Sequence, residues 1–434
     1  MKSKLNSEFP FFLGRQMAKL KEVFVPGGMP SYTYQERKDF DGNAIDLERK
    51  LRSATNRLRK FISVAGPTKC GKTVLVRKVF PKETSIWIEG AHISSLADFW
   101  NEVHSKLGLA TPSSLSEGKG KEECQELEGS AGIKPGGVGA EVKDRLIQKG
   151  NRSLLEVKEF ATSAAHLGLE GLLRSQRVLV VDDFHYVSAE VQTSIIRGLK
   201  QAVFDGLTVI LILIPHRMHQ AATAEMDVDG RTHTLEIPEW RAPELFAIAE
   251  TGFRTLNVRV RAVTIDAMLG ECFQSPHLMQ DLCSLMCDDW GVFETHVGAL
   301  RTLDFIEGKN EFLGRFATDA VNPNTFRALQ KGPERTNRVP RPLKAGGFCD
   351  TYEAVLMALK NLDVMSPVRW SDLRRGLQDI LVEEPQQQEV TRVLEKMDEI
   401  AKERDGEPVI DYVKEQRELH LVDPFFRFYV RWGS

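Results

Sequence analysis

Apolar residues in this chain fall into short unbroken runs and into helical stripes, and the two alternate through its first half. Phe61–Ala65, Ser85–Glu89, Arg177–Asp182 and Leu207–Ile214 are largely apolar stretches, and Thr232–Pro238 reads as a fifth strand. Such runs lack the alternation of a half-exposed sheet and predict strands, most of them buried on both faces. Helical spacing fills the gaps. Ile45, Leu47, Leu51 and Leu58 recur amid charges before the first strand. A helix capped by Ser94 or Ser95 and closed by Gly108 follows the second, and Ser153–Ser175 reads as another. Ser188 is placed to cap a helix whose Val191, Ile195, Leu199 and Val203 share one face, with Gly206 at its end. Strands alternating with helices predict an α/β fold with a parallel, doubly wound sheet.

From Ala242 the pattern turns all-helical, with Pro243 at the first helical position and Ser275-Pro276 as a second cap-and-start signal. The expected divisions are a leader over 1–40, a core over 41–240, a helical lid over 241–321, a linker over 322–347 and a final domain over 348–434. Residues 111–150, rich in Gly, Ser, Glu and Lys, read as a flexible insertion or weak hairpin, serving as a spacer or as a partner-binding loop. The linker is rich in Pro and Gly and carries six Lys or Arg against one acid, which suits a solvated run or contact with a phosphate backbone. The last ninety or so residues give helix, helix, helix and a hairpin turning near Lys414–Arg417, the order of a winged helix.

Composition narrows the class. The formal net charge is −3, so no global basic field announces nucleic acid. The six cysteines are scattered without a C-x-x-C pair, and Cys283 and Cys287, four apart, suit a helix core. That usage fits a reducing cytoplasm. Leu207–Pro215 is too short to cross a bilayer, and the opening residues do not read as a signal peptide, so a cytoplasmic chain without membrane contact is expected.

The first strand runs into Gly66-Pro67-Thr68-Lys69-Cys70-Gly71-Lys72-Thr73, a complete G-x-x-x-x-G-K-[ST] phosphate loop, with a helix behind it up to Pro81. Gly66 and Gly71 are expected to let the backbone turn so that successive N–H groups point at phosphate oxygens. Lys72 would meet the β- and γ-phosphates, and the Thr73 hydroxyl would ligate Mg²⁺. With Val74, these eight residues form the predicted nucleotide-binding set. Cys70 is a small side chain that fits the loop. The third strand ends in Asp182-Asp183, acids at the C-terminal edge where α/β sheets place ligands. Asp182 would hold Mg²⁺, mostly through water, and Asp183 would orient or deprotonate the attacking water.

With both motifs in place, the chain resembles the AAA+/STAND group of P-loop ATPases over roughly residues 30–434, most nearly the origin-recognition or initiator-like ATPases and the prokaryotic STAND ATPases. The resemblance implies an ATPase core, a helical lid and a C-terminal winged helix, with ATP and Mg²⁺ as cofactors. It implies a polar sensor just beyond the fourth strand, where His216 stands with Arg217 beside it; the alternative for His216 is an ordinary strand-end residue. Ser275-Pro276-His277-Leu278 matches the shape of the lid turn. His277 occupies the place of an arginine that touches the γ-phosphate in initiator-type enzymes, or is a plain first-turn residue. Asp183 stands where many AAA+ enzymes carry Glu, and the ending DPFFRFYVRW is similar to that of archaeal-type STAND ATPases. Phe425, Phe426, Phe428, Tyr429 and Trp432 are expected to be core and docking surface. Arg197, Arg217 and Arg241 are candidate arginine fingers.

What the resemblance implies for function is a nucleotide-controlled conformational or oligomerisation switch that regulates a protein partner or effector. In prokaryotic STAND ATPases such switches often serve antiviral defence or signalling through homo-oligomers. The alternative is a DNA-binding initiator or transposition-regulator ATPase, engaging nucleic acid through the winged helix and the basic linker. A third reading is an ATP-binding scaffold with negligible catalysis.

Overall fold

The computed structural model describes residues 17–39, 41–57, 59–109, 164–214, 232–320, 323–334, 338–404 and 408–433. They form two compact units. One consists of Asp46–Pro67 and Gly71–Pro238; the other of Met1–Ile45, Thr68–Cys70 and Glu239–Ser434.

The first unit is built on the apolar runs. β1 (Phe61–Ala65), β2 (Ser85–Glu89), β3 (Val178–Asp182), β4 (Val209–Leu213) and β5 (Thr232–Glu236) form one sheet in the order β2-β3-β4-β1-β5. Every pairing is parallel. The central strands are buried along their whole length, which is why they are apolar at successive positions. β5, at the edge, keeps only Leu235 buried. Helices α1 (Leu47–Arg57), α2 (Lys72–Val79), α3 (Leu96–Leu107) and α4 (Ala189–Phe204), with a further helix over 164–175, accompany the sheet. Ser95 caps α3 by accepting from the Asp98 N–H, and Gly108 ends it in the left-handed region at φ 69°. Ser188 stands at the start of α4, but its hydroxyl makes no capping bond. Ile195, Ile196 and Leu199 of α4 and Phe99 and Val103 of α3 join Ile88, Val181 and Leu211 of the sheet in one core. This mixed α/β, parallel-sheet architecture is the expected one.

The second unit is mostly helical. α5 (Ala242–Thr255), α6 (Ala262–Leu269), α7 (Pro276–Asp289) and α8 (Lys309–Ala320) form its first part. Pro243 lies one residue inside α5, whose cap is Arg241. Ser275 caps α7 by accepting from the Leu278 N–H, as its Ser-Pro signal predicts. Cys283 and Cys287 lie on the fully buried face of α7. The expectation of an all-helical stretch is corrected by a parallel pair of three-residue strands, Val258–Val260 with Arg301–Leu303. The leader packs here. The Val25 N–H donates to Gln280 Oε1 at 3.0 Å, as does the Thr33 hydroxyl, and the Phe24 ring fills the hollow over Gly252 of α5. Phe24 also meets Phe253 edge to face at 5.3 Å.

The basic linker is also corrected, because part of it is a helix, α9 (Asn324–Lys331), that buries Phe326 and Leu329. Beyond it come α10 (Thr351–Lys360), β6 (Val368–Arg369), α11 (Trp370–Ile380), α12 (Gln387–Lys402) and the hairpin β7 (Ile410–Val413) and β8 (Glu418–Leu421). The strands form an antiparallel sheet in the order β6-β8-β7. α13 (Pro424–Trp432) closes the described chain and buries Phe426, Phe428, Tyr429 and Val430, so these aromatics are core.

Candidate functional site

The phosphate loop joins β1 to α2. Its turning falls at Lys69 (φ 55°) and Gly71 (φ 94°), whereas Gly66 has no positive φ. The expected role of Gly66 in the turn is therefore taken over by Lys69, an unusual residue for left-handed backbone. α2 begins at Lys72, so the helix N-terminus and its free N–H groups open onto the loop. A Cβ added at Gly71 would meet nothing within 4 Å, so the hollow beside the loop is open.

Lys72 is buried, and its ammonium donates to the carbonyls of Gly66 at 3.1 Å and Pro67 at 2.7 Å, folding back across its own loop. Thr73, one residue on, donates its hydroxyl to Asp182 Oδ1 at 3.2 Å. Parallel register sets Glu89 at the end of β2 opposite Asp182 at the end of β3. Asp182 is 3% exposed, and burial, then the charge of Asp183, pushes its carboxyl up to about 6; the Thr73 hydrogen bond opposes this. Asp183 follows in the left-handed region at φ 51°, and burial raises its carboxyl too, opposed by the charge of Lys72. The structure thus gathers Lys72, Thr73, Asp182 and Asp183 from two strand ends of one sheet. Glu89, which the motif reading did not single out, adds its charge to both aspartates. The signal for it was present: SIWIE ends in an acid as RVLVVDD does.

An ammonium spanning the hollow of the loop, a hydroxyl aimed at a buried carboxylate and a free helix N-terminus suit a magnesium–triphosphate pair. Lys72 and the loop N–H groups would hold the phosphates, and Thr73 and Asp182 the metal. No group of three or more His, Cys, Asp or Glu side chains that could hold a metal is found among the described residues.

The apex of the loop, Thr68–Cys70, belongs to the other unit. There Lys69 forms an ion pair with Asp423, its ammonium lies 4.3 Å from the centre of the Phe425 ring, and Trp240 Nε1 donates to the Cys70 carbonyl at 2.8 Å. His277, in the first turn of α7, meets Phe425 edge to face at 4.9 Å and lies 3.5 Å from Asp281. Burial, then the charge of Lys69, lowers His277 to about 4, so the ring is neutral at pH 7. Pro67 is exposed and Val74 half-buried in the first turn of α2. His216, Arg217 and the 111–150 insertion lie outside the described residues. Asp423 caps α13 by accepting from the Phe425 and Phe426 N–H groups, as Asp before Pro at a helix start signals.

A five-stranded parallel sheet in this order, with a G-x-x-x-x-G-K-[ST] loop after the strand second from one edge and the double acid two strands away, defines the class: a P-loop NTPase fold. No protein-family model matches the chain, and no curated protein matches it. Among solved structures it is similar to a Walker-type ATPase of Pyrococcus abyssi at 12% identity, covering 92% of this chain and 99% of that one with a TM-score of 0.48. It is also similar to the Orc1 protein of Aeropyrum pernix in complex with DNA, at 10% identity, 96% of each chain and a TM-score of 0.42. Cdc6p from Pyrobaculum aerophilum matches at 11% identity over 94% of this chain and 95% of that one, with a TM-score of 0.40.

Proposed function

We propose that this chain is a Mg²⁺-dependent ATPase that works as a nucleotide-controlled conformational and oligomerisation switch acting on a protein partner. The observation that carries the ATPase reading is the meeting of Thr73 with Asp182, 109 residues apart in sequence, beside the buried ammonium of Lys72. When bound, Mg²⁺ with the triphosphate supplies the electrophilic phosphorus and the charge that screens it. Lys72, now on the carbonyls of Gly66 and Pro67, would hold phosphate oxygens instead. Asp182 and the Thr73 hydroxyl would hold the cation, and Asp183 would accept the proton of the attacking water. The switch reading rests on the resemblance of the two nucleotide motifs to those of ATPases that work as nucleotide-controlled switches.

The test is Lys72→Ala, assayed for binding of a fluorescent ATP analogue and for phosphate release, with size measured with and without a non-hydrolysable analogue. Loss of binding and turnover with intact folding is expected, together with a nucleotide-dependent change of size in the unsubstituted protein. Unchanged hydrolysis in the variant rejects the ATPase reading, and an unchanged size rejects the oligomerisation reading.

A further inference from the structure

Asp183 holds a backbone conformation that few residues other than glycine adopt, with φ at 51°. Such a conformation persists where its surroundings over-determine it. The turn supplies part of the hold: the Asp183 N–H donates to Asp182 Oδ1 at 3.1 Å, and the Asp183 carbonyl accepts from the Tyr186 N–H at 3.0 Å. Two residues outside the nucleotide-binding set supply the rest, each from a different element of the sheet unit.

Gly90 opens the short turn Gly90–His92 that follows β2, one residue after Glu89, which parallel register sets opposite Asp182. A Cβ at Gly90 would stand 2.4 Å from the Asp183 carbonyl oxygen and 2.9 Å from that of Asp182. Both neighbours are backbone, so no side chain can swing aside to make room. Only glycine lets the ends of β2 and β3 close on each other here.

Gln192 comes from α4. The turn Phe184–Tyr186 follows Asp183 directly, and Gln192 Nε2 donates to the Phe184 carbonyl at 3.0 Å. Gln192 is 0% exposed, and its Oε1 is buried with no hydrogen-bond partner among the described residues. A carbonyl can only accept, so the amide must offer it nitrogen, which strands the oxygen. A stranded buried acceptor costs stability, and an apolar side chain of the same length would avoid that cost. Nor does the Phe184 carbonyl need the amide, since it also accepts from the Val187 N–H at 3.2 Å. The glutamine is therefore explained by its grip on the turn.

We infer that Gly90 and Gln192 are positioning residues for Asp183: they clamp the turn behind β3 and so fix where the Asp183 carboxylate meets the attacking water. The inference rests on the ATPase reading and deepens it by naming what aims the general base. Loosening the clamp lowers the rate of hydrolysis but spares the hold of Lys72, Thr73 and the loop N–H groups on nucleotide.

The test uses Gln192→Met in the full chain, with phosphate release from ATP in Mg²⁺, affinity for a fluorescent ATP analogue and melting temperature as readouts. kcat is expected to fall roughly ten- to a hundredfold, the scale of a small misplacement of a reacting group. Affinity is expected to stay within about twofold, and the melting temperature within about 4 °C, because a lost hydrogen bond is offset by removal of the stranded oxygen. In an Asp183→Asn background, where no base is left to aim, Gln192→Met is expected to change single-turnover phosphate release by less than about twofold. A merely structural glutamine does not predict that silence. Unchanged kcat in Gln192→Met, affinity falling in step with kcat, or an equal loss in the Asp183→Asn background overturns the inference and leaves the ATPase reading standing. Should Gln192→Met fail to fold, Gly90→Ala in the same cycle decides by the same outcomes. Absence of turnover in the unsubstituted chain overturns the ATPase reading, and this inference with it.

Discussion

The Thr73 hydroxyl donates to a carboxylate, that of Asp182, which burial has made reluctant to ionise. The folded-state pKa of about 6 lies above the ordinary 3.8, so between roughly pH 4 and pH 6 the folded chain holds a proton that the unfolded chain releases. The contribution to stability is fully present below pH 4 and is lost as pH rises through 6. A shift of this size is worth up to about 3 kcal/mol. Asp182→Asn is therefore expected to raise the melting temperature at pH 7.5 and to leave it little changed at pH 4, while abolishing turnover. Melting curves at the two pH values check this, and a lower melting temperature at pH 7.5 contradicts it. In the unsubstituted chain, affinity for Mg²⁺–nucleotide is expected to fall below pH 6, because the metal needs the ionised carboxylate.

Glu244 lies buried at the start of α5 and accepts from Arg37 Nε at 3.2 Å, Lys38 N at 2.8 Å and Arg241 N at 2.9 Å. Arg37 is buried too, and its guanidinium lies 4.2 Å from the centre of the Trp240 ring. Breaking such a pair leaves a buried charge uncompensated. Arg37→Met is expected to cost about 3–5 kcal/mol, and adding Glu244→Gln to recover part of that loss. Urea unfolding of the single and double variants measures both, and additive losses rule out the pairing.

Glu271 collects three donors: Lys309 Nζ and Arg431 Nη1 at 3.2 Å each, and Trp432 Nε1 at 2.8 Å. It thereby ties the end of α13 to the lid. Because both cations are partly exposed, Glu271→Ala is expected to cost only about 1–3 kcal/mol. The loss should appear as earlier hydrogen exchange in α13 than in the parallel sheet, and uniform exchange counts against it.

α12 stands third in the helix order, where a winged helix would present its reading surface. It carries Glu389, Glu395, Asp398 and Glu399 against Arg392, Lys396 and Lys402. Lys396 pairs with Glu399, Lys402 with Asp398 and Asp411, and Lys414 of the turn with Glu395. In the linker, Arg338 pairs with Asp350 and Arg341 with Glu389. A surface so balanced gains little from phosphates. Duplex DNA is expected to bind weakly and with a shallow dependence on salt. A steep inverse slope, measured by fluorescence anisotropy, favours the initiator reading instead.

The buried sheet was legible because a strand covered on both faces must be apolar at successive positions, and the four runs of β1 to β4 largely satisfied that, while β5 at the edge is mostly polar. The phosphate loop was legible because its spacing is set by the turn itself. The lid strands Val258–Val260 and Arg301–Leu303 were not, since three residues give too short a pattern to separate from a helix. α9 was hidden for another reason: its stripe is only Phe326 and Leu329, and Pro323 and Gly332, which bound the helix, read in sequence as linker composition. Lys69 and Asp423 come together across 354 residues, a meeting no local pattern encodes.

Gly252 has a use beyond its own helix. Any side chain there would collide with the Phe24 ring, whose nearest atom lies 2.2 Å from where a Cβ would stand. The leader is thus a plug cut to fit a socket, and α5 has given up a side chain to receive it. Shortening the chain past residue 24 would leave that socket open to solvent and expose the aromatic face of Phe253. A trimmed version of this protein should therefore be judged first by whether it stays in solution.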